Sequence, residues 1–485
     1  MNGWLLTVLV FLPVAAALVS WLVPMRRFTL GAFATFAALT EIGFWIVALV
    51  RFDFQEPSGR LQLERRWSWF SDLGVSYHVA LYPFAVWLVG LAVVGMAAAI
   101  AYAWWVGRER PRAYFGLMLL LTGAIIGVFA AQDLLLFYVF WEAMLIPLYV
   151  LIGVWGGARR GQATLKFVIY TMAGSLLMLA SVIVLGLQRG SFDILGQRQS
   201  TSTWIFLGFA AAFAVKAPLF PFHGWLPDAY RESPPEVAGV LSGIVSKAAA
   251  YGFLRIGLVQ FGHPVIKDVR IPILVLAVIG LLYGSIVAFR APDLRGVIAY
   301  SSLAQLGLIT LGLFAVNLAG LNGAVLQMVN HGLISLTLFL LAGAVERRAG
   351  TGEFARLGGL ARGRPALATV LMTTGIIALA VPGSTAFAGE FLILLGVFAQ
   401  SWIWAVLGAG AIVLAAMYML RLISAVLHRD PAPGTEGARD LRPAELAILV
   451  PLVACLLALS VWPASITDRG FGKGARNFPG LTVLE

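Results

Sequence analysis

The sequence predicts an all-α polytopic membrane protein with about 14 transmembrane helices, on three observations. Of 485 residues, 60% are hydrophobic and only 12% charged, far from the ~25% charged residues of an average soluble domain. Apolar runs recur along the whole length, each with the ~20 residues a helix needs to cross a hydrocarbon core of ~30 Å. The sequence between them is too short to build a separate soluble domain.

The runs fall near residues 3–24, 29–51, 79–106, 113–131, 133–155, 164–187, 203–222, 236–261, 271–289, 296–316, 322–345, 366–399, 402–427 and 443–463. The first, Leu5 to Val23, has no basic leader or small-residue cleavage site and is followed by Arg26 and Arg27, so it reads as a retained span rather than a signal peptide. Lys and Arg concentrate in the loops after odd-numbered spans, including Arg108, Arg110, Arg112, Arg159, Arg160 and the cluster Arg347 to Arg364. The positive-inside bias places those loops in the cytoplasm and both termini on the other side. Scattered loop arginines of this kind account for the net charge of +11 without a nucleic-acid partner.

The single cysteine, Cys455, lies in the last run, which excludes intrachain disulfides, iron-sulfur clusters and Cys-rich zinc sites. A haem held by two histidines would need two at membrane depth, and one is available. "GFGKG" at Gly470 to Gly474 lacks the spacing of a phosphate-binding loop. No metal site and no redox cofactor are expected in this chain.

Two runs are irregular. The seventh contains Pro218 and Pro221, and the twelfth, over 366–399, is broken by "AVPGST" at Pro382 and Gly383. Proline removes a backbone donor and clashes with the carbonyl four residues earlier. Such backbone persists at membrane depth only where it is buried in protein or lines a wet cavity. The breaks lie five spans apart, which suggests two five-helix units, 113–261 and 271–427, preceded by a three-helix segment, 1–106, and followed by a last span and short tail, 443–485. Because five is odd, the second unit enters from the opposite side, the pattern of an inverted-repeat transporter with its path at the discontinuous helices.

Five ionisable residues lie well inside spans: Glu142 in the fifth, Lys216 beside the break of the seventh, Lys247 in the eighth, His331 in the eleventh and Glu390 after the break of the twelfth. A charged Lys or Asp at the bilayer centre costs ~2.5–3.5 kcal/mol on insertion scales, so these groups are expected to face the bundle interior and to be paired or hydrated. The alternative for one pair alone, such as Glu142 with Lys216, is a structural salt bridge that holds helices in register. Five groups on five spans point instead to an intramembrane proton or ion path. His223 and Asp228 are candidates for its cytoplasmic entry, or for solvating the loop after the seventh span. Arg255 and Arg421 lie toward span ends, where snorkelling to the interface is the default.

At these residues the chain resembles a known family. "FYVFWEAMLIPLYVLIGVWGG", "KAPLFPFHGWLPDAYRESPPEVAGVLSGIVSKAAAYGFLR", "IAYSSLAQLGL", "GAVLQMVNHGLISLTLFLLAG" and "VPGSTAFAGEFLIL" closely resemble the antiporter-like, proton-translocating subunits of respiratory NADH-quinone oxidoreductase, complex I. The resemblance covers nearly the whole chain. It implies 14 transmembrane helices, two inverted five-helix units and broken helices seven and twelve.

Carried over by position, Glu142 and Lys216 resemble the family's charged pair, Lys247 its central lysine, His331 its relay histidine and Glu390 its terminal acid. Related chains more often carry lysine at that last position, so a glutamate favours the subunit-M branch, which includes mitochondrial chain 4. In "YSSLAQLGL" some relatives have a histidine where Gln305 stands. Glutamine orients water but takes up no proton at neutral pH, so that step is expected to run through water held by Gln305, Tyr300 and Ser302.

The resemblance further implies a bacterial inner-membrane location, with both termini periplasmic. It implies membrane-arm partners including two related antiporter-like chains, surrounding lipid, and FMN, iron-sulfur clusters and quinone in partner subunits. The competing readings are an Mrp-type cation/proton antiporter subunit and a structural scaffold whose charges are struts.

Overall fold

In the computed structural model, which describes residues 3–56, 61–195, 198–431 and 437–471, every predicted run carries helix. Twelve helices among the described residues are long and apolar enough to span a membrane, and Thr203–Lys216, Pro365–Ala378 and Thr385–Phe398 are shorter apolar helices. The chain is thus a multi-pass membrane protein. Gly472, Lys473 and Gly474 of the "GFGKG" stretch lie outside the described residues.

Two helices form the centre. Pro235–Gln260 and Leu318–Ala349 are buried along their whole spanning windows, as expected for helices that are apolar all round. Small residues bring them together: a Cβ built on Gly243 would lie 2.6 Å from Gly332 O, and one on Gly332 would lie 2.7 Å from Gly243 O. Such contacts let helix backbones approach closely in a membrane. Trp4–Leu22, Arg27–Arg51, Trp402–His428 and Pro443–Val461 lie at the periphery, with less than half of each spanning window buried.

Both irregular runs are broken where the prolines stand. The seventh stops at Lys216 and resumes as the short Leu226–Glu232 helix. Trp225 Nε1 donates to Val215 O at 2.9 Å, satisfying a carbonyl that the break leaves open. The twelfth splits into Pro365–Ala378 and Thr385–Phe398, with Ser384 accepting from Phe387 N as the second piece's N-cap. Between them Ala380 holds φ 53° and Gly383 φ 95°, a left-handed backbone that costs a non-glycine residue strain.

Three features depart from expectation. The third span does not begin at residue 79: Gln62–Phe70 and Val75–Leu81 form an antiparallel hairpin, with Arg66 opposite His78, and the helix starts at Pro83. Proline is pre-organised for a first helical position, where its missing N–H is not needed. The fifth span is interrupted at Met144, giving Leu134–Ala143 and Leu145–Trp155. The eighth contains two π-helical stretches, Leu241–Val245 and Phe253–Gly257, a geometry frequent at functional sites.

The arginine-bearing end of the bundle is laced by ion pairs. Arg108 grips the fully buried Glu236 at 2.7 and 2.6 Å, and Tyr114 Oη donates to the same carboxylate at 2.5 Å. Arg295 pairs with Glu346, and Arg347 and Arg348 with Glu445.

Candidate functional site

The π-helical turn at Leu241–Val245 displaces carbonyls from the regular ladder, and Ser242 O accepts from Ser246 Oγ at 2.6 Å and from Lys247 Nζ at 2.7 Å. Lys247 is wholly buried. Its Nζ also reaches Ser246 Oγ at 3.2 Å and His331 Nδ1 at 2.6 Å. The lysine and histidine, 84 positions apart, therefore form one hydrogen-bonded unit across the glycine-mediated contact of the two central helices. Beside them Ser242 Oγ bonds Ser302 Oγ at 2.7 Å and Ser335 Oγ at 2.6 Å.

His331 and Glu390 line a common cavity of about 20 Å³, together with Ser335, Gln305, Gln327 and Tyr418. That is room for roughly one water, since a site needs ~10–15 Å³ of this measure. Gln305 Nε2 donates to Glu390 Oε1 at 2.9 Å, and Gln327 Nε2 donates to Gln305 Oε1 at 2.8 Å. Asn330 and Thr385 extend the chain, Thr385 Oγ1 donating to Asn330 Oδ1 at 2.7 Å. Glu390 Oε2 is buried without a protein partner. Lys247, His331, Gln305 and Glu390 are thus gathered by geometry around hydroxyl and amide groups that orient protons or water.

Lys216 is buried, but it meets Trp141 rather than the Glu142 carboxylate. Its Nζ donates to Trp141 O at 3.2 Å and lies 3.8 Å from the centre of the Trp141 ring. Glu142, expected to face the interior, is only half-buried. Leu134, Phe137 and Trp141 form the buried stripe of that helix, and one further residue turns the side chain by about 100° away from it.

His223 and Asp228, the candidates for a cytoplasmic entry or for solvating the loop, each meet other groups. His223 stacks on Phe220 and packs against Tyr283 at 5.0 Å, while Asp228 pairs with Lys166 at 2.5 Å. Tyr300 packs against Tyr283 at a ring distance of 6.5 Å and is absent from the lining of the cavity beside Gln305. Five residues along a helix place Tyr300 about 140° from Gln305. Ser302, by contrast, joins the serine cluster.

Arg255, expected to snorkel, is fully buried: its guanidinium donates to Gln132 Oε1, and Nε and Nη1 have no hydrogen-bond partner. Gln132 and the Tyr82 ring, centred 5.7 Å from the guanidinium, enclose it within the protein. Arg421 reaches Phe289 O and Ala291 O at the end of a neighbouring helix. Sequence reading passed over Glu41, wholly buried in Arg27–Arg51 with both carboxylate oxygens unpartnered; its position in the middle of the second run was the available signal. Among the described residues no group of three or more His, Cys, Asp or Glu is placed to hold a metal ion.

Residues 131–415 match the family described as NADH:quinone oxidoreductase/Mrp antiporter, TM. The NADH-quinone oxidoreductase subunit M of Rhodobacter capsulatus is 36% identical, over 96% of this chain and 94% of that protein. A chain of respiratory complex I from Thermus thermophilus, solved with bound NADH, is 30% identical and superposes with a TM-score of 0.89 over 98% of this chain and 99% of that one. A chain of the Mrp complex from a Dietzia species superposes with a TM-score of 0.86 over 99% of each chain, at 20% identity, which is a likeness of fold alone.

Proposed function

Because the chain belongs to the NADH:quinone oxidoreductase/Mrp antiporter family, we propose that it is a membrane-arm, subunit-M-type chain of an NADH-quinone oxidoreductase, carrying protons on its own buried side chains while electrons pass through other subunits. The observation that carries this reading is the 2.6 Å contact of Lys247 with His331, whose ring opens on the cavity that Glu390 also lines.

An ammonium at Lys247 is held by Ser242 O, Ser246 Oγ and His331 Nδ1. Transfer to Nδ1 needs no rearrangement of heavy atoms at that distance, which suits a proton-transfer pair. Gln305 keeps Glu390 Oε1 engaged, leaving Oε2 as the atom that takes the proton by way of water in the cavity. Lys216 and Glu142 stand outside this hydrogen-bonded set and act on it through charge. When a neighbouring subunit changes the field at Glu142 on the half-buried flank, the balance at Lys216 and then at Lys247 changes with it.

The two breaks, each next to one of these charges, support two inverted five-helix units, 113–261 and 271–427, between the 1–106 and 443–485 segments. Two related antiporter-like chains are the expected neighbours. FMN, iron-sulfur clusters and quinone belong to partner subunits. The chain sits in the bacterial inner membrane with its arginine-rich loops cytoplasmic and both termini periplasmic.

The test is the assembled complex carrying Lys247→Ala in liposomes. Electron transfer from NADH to an artificial acceptor is expected to persist while proton uptake per NADH oxidised falls. Unchanged proton uptake in a fully assembled complex would refute the relay. A purified assembly without flavin or iron-sulfur proteins would favour the Mrp-type reading instead.

A further inference from the structure

A groove of about 670 Å³ runs along the outside of the bundle between Arg27–Arg51, Pro83–Val106 and Pro443–Val461. Its lining is almost wholly apolar, from Phe28, Leu39 and Ile42 on one wall to Ile448 and Leu452 on another, over a floor of Ala97, Ala98 and Ala101. From Phe28 to Ile42 it follows the helix for about 21 Å at 1.5 Å per residue, the scale of one leaflet's acyl chain against a ~30 Å hydrocarbon core. Among the lining residues, Thr35 carries an Oγ1 that is buried and without a hydrogen-bond partner.

The ends of the groove differ. At one, Trp104 and Trp105 form the wall, with Phe28 packed 5.2 Å from Trp104. The Arg442 guanidinium lies 5.5 Å from the centre of the Trp105 ring. Arg27 crosses the same end, close enough that a Cβ on Gly107 would collide with its guanidinium. Both arginines are exposed. Their neighbours Arg108, Arg347 and Arg348 are engaged by Glu236 and Glu445, whereas among the described residues neither Arg27 nor Arg442 forms a salt bridge. Indoles with free basic groups mark the headgroup level of a membrane protein, and clustered basic groups there select anionic lipid.

We propose that this groove binds one anionic phospholipid, its acyl chain laid along the alanine floor and its phosphate held by Arg27 and Arg442. The charge at the mouth commits the occupant to an acidic headgroup rather than to an apolar helix of a neighbouring subunit, which would leave both guanidinium groups without counter-charge.

The test uses the assembled complex with phosphatidylglycerol or phosphatidylcholine carrying a photoreactive group in the acyl chain, followed by mapping of labelled peptides. Phosphatidylglycerol is expected to label residues 28–42 and 444–452 more strongly, by about fivefold per contributing arginine. R27Q/R442Q should bring its labelling to the phosphatidylcholine level, and Ala101→Phe, which fills the floor, should abolish labelling by either lipid. Equal labelling by the two lipids, labelling insensitive to R27Q/R442Q or to Ala101→Phe, or no labelling because another subunit covers the face would each overturn the proposal. The arginine variants are surface changes, so they remain informative if the filled variant fails to assemble.

Discussion

Lys247 Nζ lies 2.6 Å from His331 Nδ1, and the two residues come from different, wholly buried helices. A lysine so placed has one basic nitrogen facing it, which is why the proposed relay runs from Lys247 to His331. His331→Asn keeps a hydrogen-bond acceptor and removes proton uptake. Because positioned proton-transfer groups contribute ~10²–10⁴ in rate, coupled proton uptake is expected to fall at least ~10-fold, read by a pH-sensitive dye in proteoliposomes. Wild-type uptake by this variant would mean that the pair is a packing contact.

The pair depends on a backbone approach one helical turn away. Gly243→Ala places a Cβ 2.6 Å from Gly332 O, too close for either rigid backbone, so the helices must separate. Overpacking of this kind costs about 1–3 kcal/mol. The variant should lower the thermal midpoint of the complex and, by lengthening the Lys247 to His331 contact, lower proton uptake as well. Loss of stability with full uptake would show that the relay tolerates the wider spacing.

Gln305 joins Glu390 to Gln327 within one hydrogen-bonded chain. Gln305→Leu removes the donor to Glu390 Oε1 and should slow proton uptake while leaving assembly intact. Gln305→His restores a polar, titratable group in the same place and should recover most of the rate. If leucine and histidine behave alike, side-chain volume at this point matters and polarity does not.

The helix breaks were legible because proline states its own consequence: Pro218, Pro221 and Pro382 stand where the regular ladder stops. Depth was legible too, so Lys216, Lys247, His331 and Glu390 are all buried as their mid-run positions implied. Facing was not. Whether Glu142 or Trp141 meets Lys216 depends on rotation of the Leu134–Ala143 helix, and in a span that is apolar on every side the periodic signal that would set rotation is absent. Arg255 was misread for a related reason. Its proximity to a helix end was clear, but the groups that enclose it, Gln132 and Tyr82, come from segments far earlier in the chain that no local pattern around Arg255 displays. The union of Lys247 with His331 rests on the register of Gly243 against Gly332, a property of two helices together that neither displays alone.

Glu41 has no place in the relay. It is buried in Arg27–Arg51 with neither carboxylate oxygen bonded, and a buried polar group without a partner costs about 1–3 kcal/mol. Glu41→Leu is therefore expected to raise the thermal midpoint of the assembled complex with proton uptake unchanged. A drop in uptake would instead make Glu41 a further titrating group on the far side of the bundle.

Outside the membrane, Asp193 ties the hairpin to the bundle, accepting from Arg66 at 2.6 Å and meeting His78 Nδ1 at 2.9 Å. Burial alone would raise this carboxyl, but the His78 hydrogen bond and the Arg66 guanidinium outweigh it and hold the pKa below the usual carboxylate range. A depressed pKa means that the folded state prefers the ionised acid. Its contribution is complete above the unfolded value of ~3.9 and is lost as pH falls through the folded value. With Arg66 half exposed, solvent screening leaves about 1 kcal/mol for the cluster. Asp193→Asn should therefore lower the thermal midpoint at pH 7, and the gap to the unaltered protein should narrow as the pH is taken below about 4. A gap that persists undiminished in acid would assign the loss to packing of the side chain and not to its charge.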